Sequence, residues 1–207
     1  MNDPCTAKWK LAAVGLVLAL AGCSVIPEPQ ADLTRYYVLN GPAVAVDQTH
    51  EGALQVGLRA VQLAPYLDKG TVVMRTGPNE LIYNDYARWA EPLGAAITRV
   101  VQSRLLASPR VNRVLNFPFP FDQPRDYDVS LNILRCGGVR TDDQTAVEFS
   151  VLVEISRPGE KSAVISRQVF TADAQNWDGR DYGELVQRLS ADVARLGDAV
   201  VAALPAN

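Results

Sequence analysis

Two stretches of strict alternation constrain this chain most. In YDVSLNIL, residues 127–134, Tyr127, Val129, Leu131 and Ile133 fall on one side of an extended backbone, and Asp128, Ser130 and Asn132 on the other. AVEFSVLVEIS, residues 146–156, repeats the pattern with Val147, Phe149, Val151, Val153 and Ile155 inward. A period of two means a strand with one apolar and one wet face, the signature of an antiparallel sheet packed on one side. SAVISRQVFT, 162–171, follows after the turn Pro158-Gly159 and supplies a third strand. Upstream, RYYVL (35–39) and LQVGLRAVQL (54–63) read as strands, with a polar loop from Gly41 to Gly52 between them. TVVMRT and ELIY, 71–76 and 80–83, flank Gly77-Pro78-Asn79 and predict a hairpin.

Two segments change period. From about Glu91 to Ala107, Leu93, Ile97, Val100, Val101 and Leu105 recur at helical spacing, and Pro92 suits a first-turn position where its missing N–H is no loss. From about Tyr182 to Leu204, Leu185, Leu189, Val193, Leu196, Val200 and Leu204 form one continuous stripe. Asp181 and Glu184 are spaced for reciprocal N-terminal capping. This stripe is expected to pack on the sheet; the alternative is a seam for a partner helix. The expected fold is α+β: a mainly antiparallel sheet with two long amphipathic helices packed on one face.

The N-terminus carries an address. Leu11 to Gly22 is an apolar run of 12 residues, too short for a membrane span of about 20. Lys8 and Lys10 before it and Ala21-Gly22 at its end complete the layout of a secretory signal peptide. Leu20-Ala21-Gly22-Cys23 resembles the bacterial lipobox, which implies cleavage before Cys23 and attachment there of a diacylglycerol and an N-acyl chain; the alternative is an ordinary signal that happens to meet a cysteine. At about 0.8 kcal/mol per buried CH₂, two or three chains anchor a protein stably. Ser24, where sorting signals for inner-membrane retention carry Asp, implies the outer membrane's periplasmic face. The expected organisation is a signal peptide over 1–22, lipidated Cys23 and a short tether over 23–34, and one periplasmic domain over 35–207. Pro27 and Pro29 favour an extended tether, in which 24–34 reach about 35 Å at most.

Cleavage would leave 185 residues with 18 basic and 22 acidic side chains, a net charge of −4. Nothing there argues for nucleic acid. Of the cysteines Cys5, Cys23 and Cys136, only the last would stay free, so no internal disulfide is expected. In LNILRCGG it reads as a buried small hydrophobe.

Catalytic constellations are missing from the sequence. His50 is the only histidine, it lies in the polar loop, and no Gly-x-Ser-x-Gly turn occurs. One His and one free Cys cannot build a usual zinc site. Asp142-Asp143 sits in a turn between strands, and Asp126 and Asp128 share one strand face; neither pair is distinctive. No enzyme, metal or cofactor is expected beyond the acyl groups on Cys23.

The stretch 61–105 interleaves Tyr66, Tyr83, Tyr86 and Trp89 with Asp68, Arg75, Asp85, Arg88 and Glu91. Aromatics with polar tips are frequent in interfaces; the alternative is that Trp89 and Tyr83 plug the gap between hairpin and first helix. Pro65-Tyr66-Leu67-Asp68, then Val72-Val73-Met74-Arg75, then Arg88-Trp89-Ala90-Glu91-Pro92-Leu93 occur in an order that resembles the ABC-type transport auxiliary lipoproteins, the PqiC/YmbA-like family. Tyr36-Tyr37-Val38-Leu39 and the lipobox extend the likeness. The resemblance implies a non-enzymatic outer-membrane lipoprotein, the docking subunit of an MCE-type intermembrane lipid transport system. Its partner would be the MCE-domain periplasmic protein of an inner-membrane system, and outer-membrane phospholipid would hold the anchor. Closed symmetry would let several copies meet a multimeric tip as a ring. An interface of Tyr66, Leu67, Arg75, Arg88, Trp89 and Glu91 is expected on this basis. The alternative function, a lipid carrier, requires a cavity of several hundred Å³ between sheet and helices, on the order of known ligand sites. A cell-envelope hydrolase or a structural lipoprotein without a transport link completes the alternatives.

Overall fold

The computed structural model describes residues 31–41, 54–141, 144–159 and 163–205. The signal peptide, Cys23, residues 24–30, His50 with most of its loop, and Asp142-Asp143 lie outside the described residues. Thr34–Asn207 form one compact unit.

In chain order the elements are β1 (Arg35–Tyr37), β2 (Leu54–Leu58), β3 (Gln62–Leu63), a 3₁₀ turn (Pro65–Leu67), β4 (Thr71–Arg75) and β5 (Leu81–Trp89). Helix α1 (Leu93–Leu106) follows, then β6 (Val111–Asn116), β7 (Tyr127–Arg140), β8 (Thr145–Ser156), β9 (Val164–Thr171), β10 (Gln175–Asn176) and α2 (Tyr182–Ala203). All ten strands join one sheet around β7. One edge of β7 pairs β8 antiparallel from Asp128↔Ser156 to Arg140↔Thr145, and β8 carries β9 and β10 beyond it. The other edge is shared by β2, β3 and β4 in turn, all parallel to β7. Strand β6 lies outside β2, while β5 and then β1 lie outside β4.

The expectation of a mainly antiparallel sheet is therefore corrected. Five strand pairings are parallel (β1–β5, β2–β6, β2–β7, β3–β7, β4–β7) and four are antiparallel (β4–β5, β7–β8, β8–β9, β8–β10). Alternation reports that one face is wet and says nothing about a neighbour's direction. Direction follows from connections, and long crossovers such as the one through α1 permit parallel neighbours.

The hairpin forms as expected, β4 against β5, although β5 continues past residue 83 as far as Trp89. Between Thr71↔Arg88 and Val73↔Tyr83 one residue of β4 faces four of β5. The surplus Asn84-Asp85-Tyr86 bulges, its turn closed by the Tyr86 amide donating to Asn84 Oδ1 at 2.9 Å.

Helix α1 buries Leu93, Ala96, Ile97, Val100, Val101 and Leu105 and packs against α2 and β6. Pro92 is its N-cap rather than a first-turn residue, and its carbonyl accepts the Ala95 and Ala96 amides. Helix α2 packs on β7, β8 and β9 and buries the whole stripe from Leu185 to Leu204. Asp181 caps it, Oδ1 accepting from the Gly183 and Glu184 amides at 2.8 and 3.2 Å. The Glu184 carboxylate, expected to reach back, instead accepts from Arg188 one turn on. That i,i+4 ion pair is the competing partner for its charge. The inward residues of β7 and β8 predicted by alternation are all buried.

Candidate functional site

Where β2, β3 and β4 run along β7, the chain makes one excursion. From Leu63 (opposite Ile133) to Val73 (opposite Gly137) the run uses ten residues where β7 uses four. The surplus is the Pro65–Leu67 turn and the following Asp68-Lys69-Gly70, closed by Gly70 at φ 70°, a left-handed conformation that suits a residue without Cβ. At the same height β7 has its own extra residue. Pairing with β8 skips Leu134, between Ile133↔Val151 and Arg135↔Ser150. The Tyr66 hydroxyl donates to the Leu134 carbonyl at 2.6 Å, which ties the looped-out turn to the bulge.

A charged cluster surrounds this contact. Arg75 donates Nε to Glu148 Oε1 at 2.9 Å and Nη2 to the Tyr66 hydroxyl at 3.3 Å. Arg135 donates to the other Glu148 oxygen at 3.2 Å, and the Tyr83 hydroxyl donates to the Tyr66 carbonyl at 3.2 Å. The Arg75 guanidinium also lies 5.7 Å from the Tyr66 ring centre, within cation–π range. Burial raises the Tyr66 phenol above its ordinary pKa, the Arg75 charge opposing the shift. The Glu148 carboxylate, through its hydrogen bond, holds the Arg75 guanidinium above its own. Tyr66 and Arg75 keep their protons at neutral pH and the Glu148 carboxylate is taken up by two arginines, so the cluster offers an aromatic rim and paired charges.

The six expected interface residues do not share one surface. Tyr66 and Arg75 meet in the cluster. Arg88 lies beside Gly70 and opposite Thr71 in the hairpin. Glu91 is separate: it accepts from Arg99, which also donates to the Leu39 carbonyl, joining the end of β1 to α1. Leu67 and Trp89, 2% and 7% exposed, belong to the core. Their inclusion in a surface is corrected, since both are members of the apolar core and expose almost nothing. Glu148, Arg135 and Leu134 were missed by sequence reasoning. Only the β7–β8 register places them together, and a single extra residue in β7 shifts that register.

The remaining candidates resolve into structure. Asp126 accepts the Gln55 amide at 2.7 Å. Asp128, fully buried, accepts from Arg59 and Arg125. Cys136 is buried, and burial pushes its thiol up to about 12, far from a reactive thiolate. Among the described residues no group of three His, Cys, Asp or Glu side chains could hold a metal. None of the described helices is long and apolar enough to cross a membrane. An open groove of about 470 Å³ lies between α1 and the β2–β3 connection, lined by Val61, Ala95, Thr98 and Phe117 among others.

Comparison with known proteins then decides the family. The family model described as "ABC-type transport auxiliary lipoprotein component" matches residues 37–201. The chain belongs to this family. No curated protein matches it. Among solved structures, protein XCC0632 from Xanthomonas campestris, of family DUF330, superposes with a TM-score of 0.67 at 16% identity, covering 81% of this chain and 93% of that one. An uncharacterized protein superposes at 0.61 with 18% identity, covering 82% and 97%. At such identities the likeness establishes the shared fold. The transport auxiliary lipoproteins are an accessory family rather than a known enzyme family, and that frames what the cluster is for.

Proposed function

We propose that the protein is the non-catalytic docking subunit of an MCE-type intermembrane lipid transport system. In this reading acyl chains on Cys23 hold it at the periplasmic face of the outer membrane. The domain then meets the far end of an MCE-domain periplasmic protein fixed in the inner membrane, singly or as a ring of copies around a tubular tip. The observation that carries the reading is membership of the transport auxiliary lipoproteins over residues 37–201. The surface that suits it is the rim of β4, β5 and the Tyr66 turn, where Tyr66, Arg75 and Arg88 lie, with the protruding Tyr86, 60% exposed. Amphipathic aromatics beside paired charges bind protein without chemistry. The lipid-carrier alternative would have to use the open groove beside α1, since Leu39, Ile133, Val151 and Leu189 are packed without exposed surface.

The test is a photoreactive amino acid at Tyr86 in intact cells, with Val169 on β9 as the control position. Capture of an MCE-domain protein from Tyr86 and not from Val169 is expected. Equal capture from both, or none from Tyr86, removes this docking surface. Palmitate labelling that is abolished by Cys23→Ser is the companion expectation; labelling that survives the substitution removes the anchor.

A further inference from the structure

The segment Phe117-Pro118-Phe119-Pro120-Phe121, between β6 and β7, presents apolar rings to solvent: Phe121 is fully exposed and Phe117 is 56% exposed. It is held from below. The Phe117 amide donates to the Leu58 carbonyl at 3.0 Å and the Asp126 amide to the Gln55 carbonyl at 2.8 Å, pinning both ends of the loop to β2. Phe119 stacks edge-on to Phe117 with ring centres 5.6 Å apart and sits 4.0 Å from the Arg125 guanidinium. Arg125 and Arg59 in turn converge on the fully buried Asp128 carboxylate. A built base that raises bare phenylalanines is not the ordinary scatter of single surface hydrophobes.

We infer that this loop is a membrane-contact element, its Phe117 and Phe121 rings entering the interfacial region of a phospholipid leaflet. Backbone chemistry supports the choice of occupant. Irregular backbone enters a bilayer poorly because its amide hydrogens lose water. Pro118 and Pro120 have none, and the Phe117 amide is already bonded, which leaves only the amides of Phe119 and Phe121 as further donors. No side chain from 117 to 121 is polar. A convex tip of this kind fits a fluid surface that conforms to it, whereas a protein would need a matching pocket. The family is one of lipoproteins, so a leaflet is the surface at hand. Arg59 and Arg125 are already paired with Asp128 and Asp122 and Asp126 flank the tip, so the contact rests on apolar insertion rather than attraction to anionic lipid. The inference does not depend on the identity of any partner protein.

The experiment uses the protein purified from cell membranes, as a Phe121→Trp variant and, separately, as a Val169→Trp variant. Each is reconstituted into phosphatidylethanolamine–phosphatidylglycerol vesicles with and without brominated acyl chains. Trp89 and Trp177 are buried and give both variants the same background. Quenching at position 121 is expected to exceed that at 169 by about twofold or more and to persist at high salt, where screening removes surface electrostatics. Equal quenching at the two positions, or quenching at 121 that salt abolishes, overturns the inference. So does a Phe121→Trp emission that shifts only when another protein is added, which would assign the tip to a protein pocket.

Discussion

The two edges of β7 are built differently. Along one, β8 pairs with it almost without interruption, a single bulge at Leu134 apart. Along the other, three short strands take turns, separated by a kink after Leu58 and by the excursion through Tyr66. The continuous edge leads to β8 and β9, which α2 covers. The broken edge supplies the groove beside α1, the Tyr66–Arg75 cluster and the hairpin rim. Regular pairing satisfies backbone groups cheaply and leaves little for side chains to do at the surface. An interrupted edge must be repaired by side chains, such as the Tyr66 hydroxyl on the Leu134 carbonyl, and those repairs project recognisable chemistry.

The largest expected effect breaks the continuous edge. Phe149, 2% exposed on β8, stacks edge-on with Phe170 at 6.2 Å, and Phe149→Ala should destabilise by about 4 kcal/mol. Denaturant unfolding measures it, with amide protection lost across both edges because the core is shared. Next is the broken edge. A Cβ on Gly137 would lie 2.3 Å from the Val73 carbonyl oxygen, backbone against backbone. Gly137→Ala should therefore cost about 3 kcal/mol, with hydrogen-exchange protection falling first in β4 and β5. If Gly137→Ala is tolerated within about half a kcal/mol, the parallel β4–β7 contact is loose and the contrast between edges fails.

The contrast also explains what could be read from residues alone. Strict alternation marked β7 and β8, and the six-residue stripe with Asp181 at its head marked α2, because each repeats one local rule over many residues. β6, VNRVLN, spaces Val111, Val114 and Leu115 as a helix would, so side-chain pattern gives no strand there; it exists because β2 and α1 cover it. The run 54–63 looked like one strand since its kink lies in backbone pairing, which side-chain pattern does not encode. Leu67 and Trp89 were placed on a surface because they stand among polar residues in the chain. Their burial is decided by the turn that ends at Leu67 and the strand that ends at Trp89, which no local pattern encodes. Tyr66 and Arg75 are legible as residues of interest, but Glu148, which Arg75 meets across 73 positions, is not.

A smaller change sharpens the account of that repair. Tyr66→Phe keeps the ring over Arg75 and removes the hydroxyl that Leu134 and Arg75 use. A loss of about 1 kcal/mol is expected, with local exchange rising at Leu134 and Arg135 and none in α2. Unchanged exchange at the bulge would mean that water replaces the hydroxyl without loss, and that the excursion is held by the Tyr83 contact instead.

The smallest expected effect tests whether the regular side is as apolar as it looks. Asp192 on α2 is 1% exposed; it accepts from Gln175 Nε2 at 3.0 Å and pairs with Arg195. Burial raises its carboxyl above the ordinary value, with Arg195 and Gln175 opposing and the nearby Asp173 adding to the rise. The native state thus holds a proton that the unfolded state releases at about pH 3.9. Between that value and the raised one, stability falls as pH climbs, and the full penalty of the buried charge is present above the window. Asp192→Asn keeps an oxygen for Gln175 and removes the charge. Denaturation midpoints across the acid range should then decline less with rising pH than in the unaltered protein. An identical slope in both would mean that Arg195 compensates the carboxylate fully, so that this helix carries its one buried charge at no expense to the packed face.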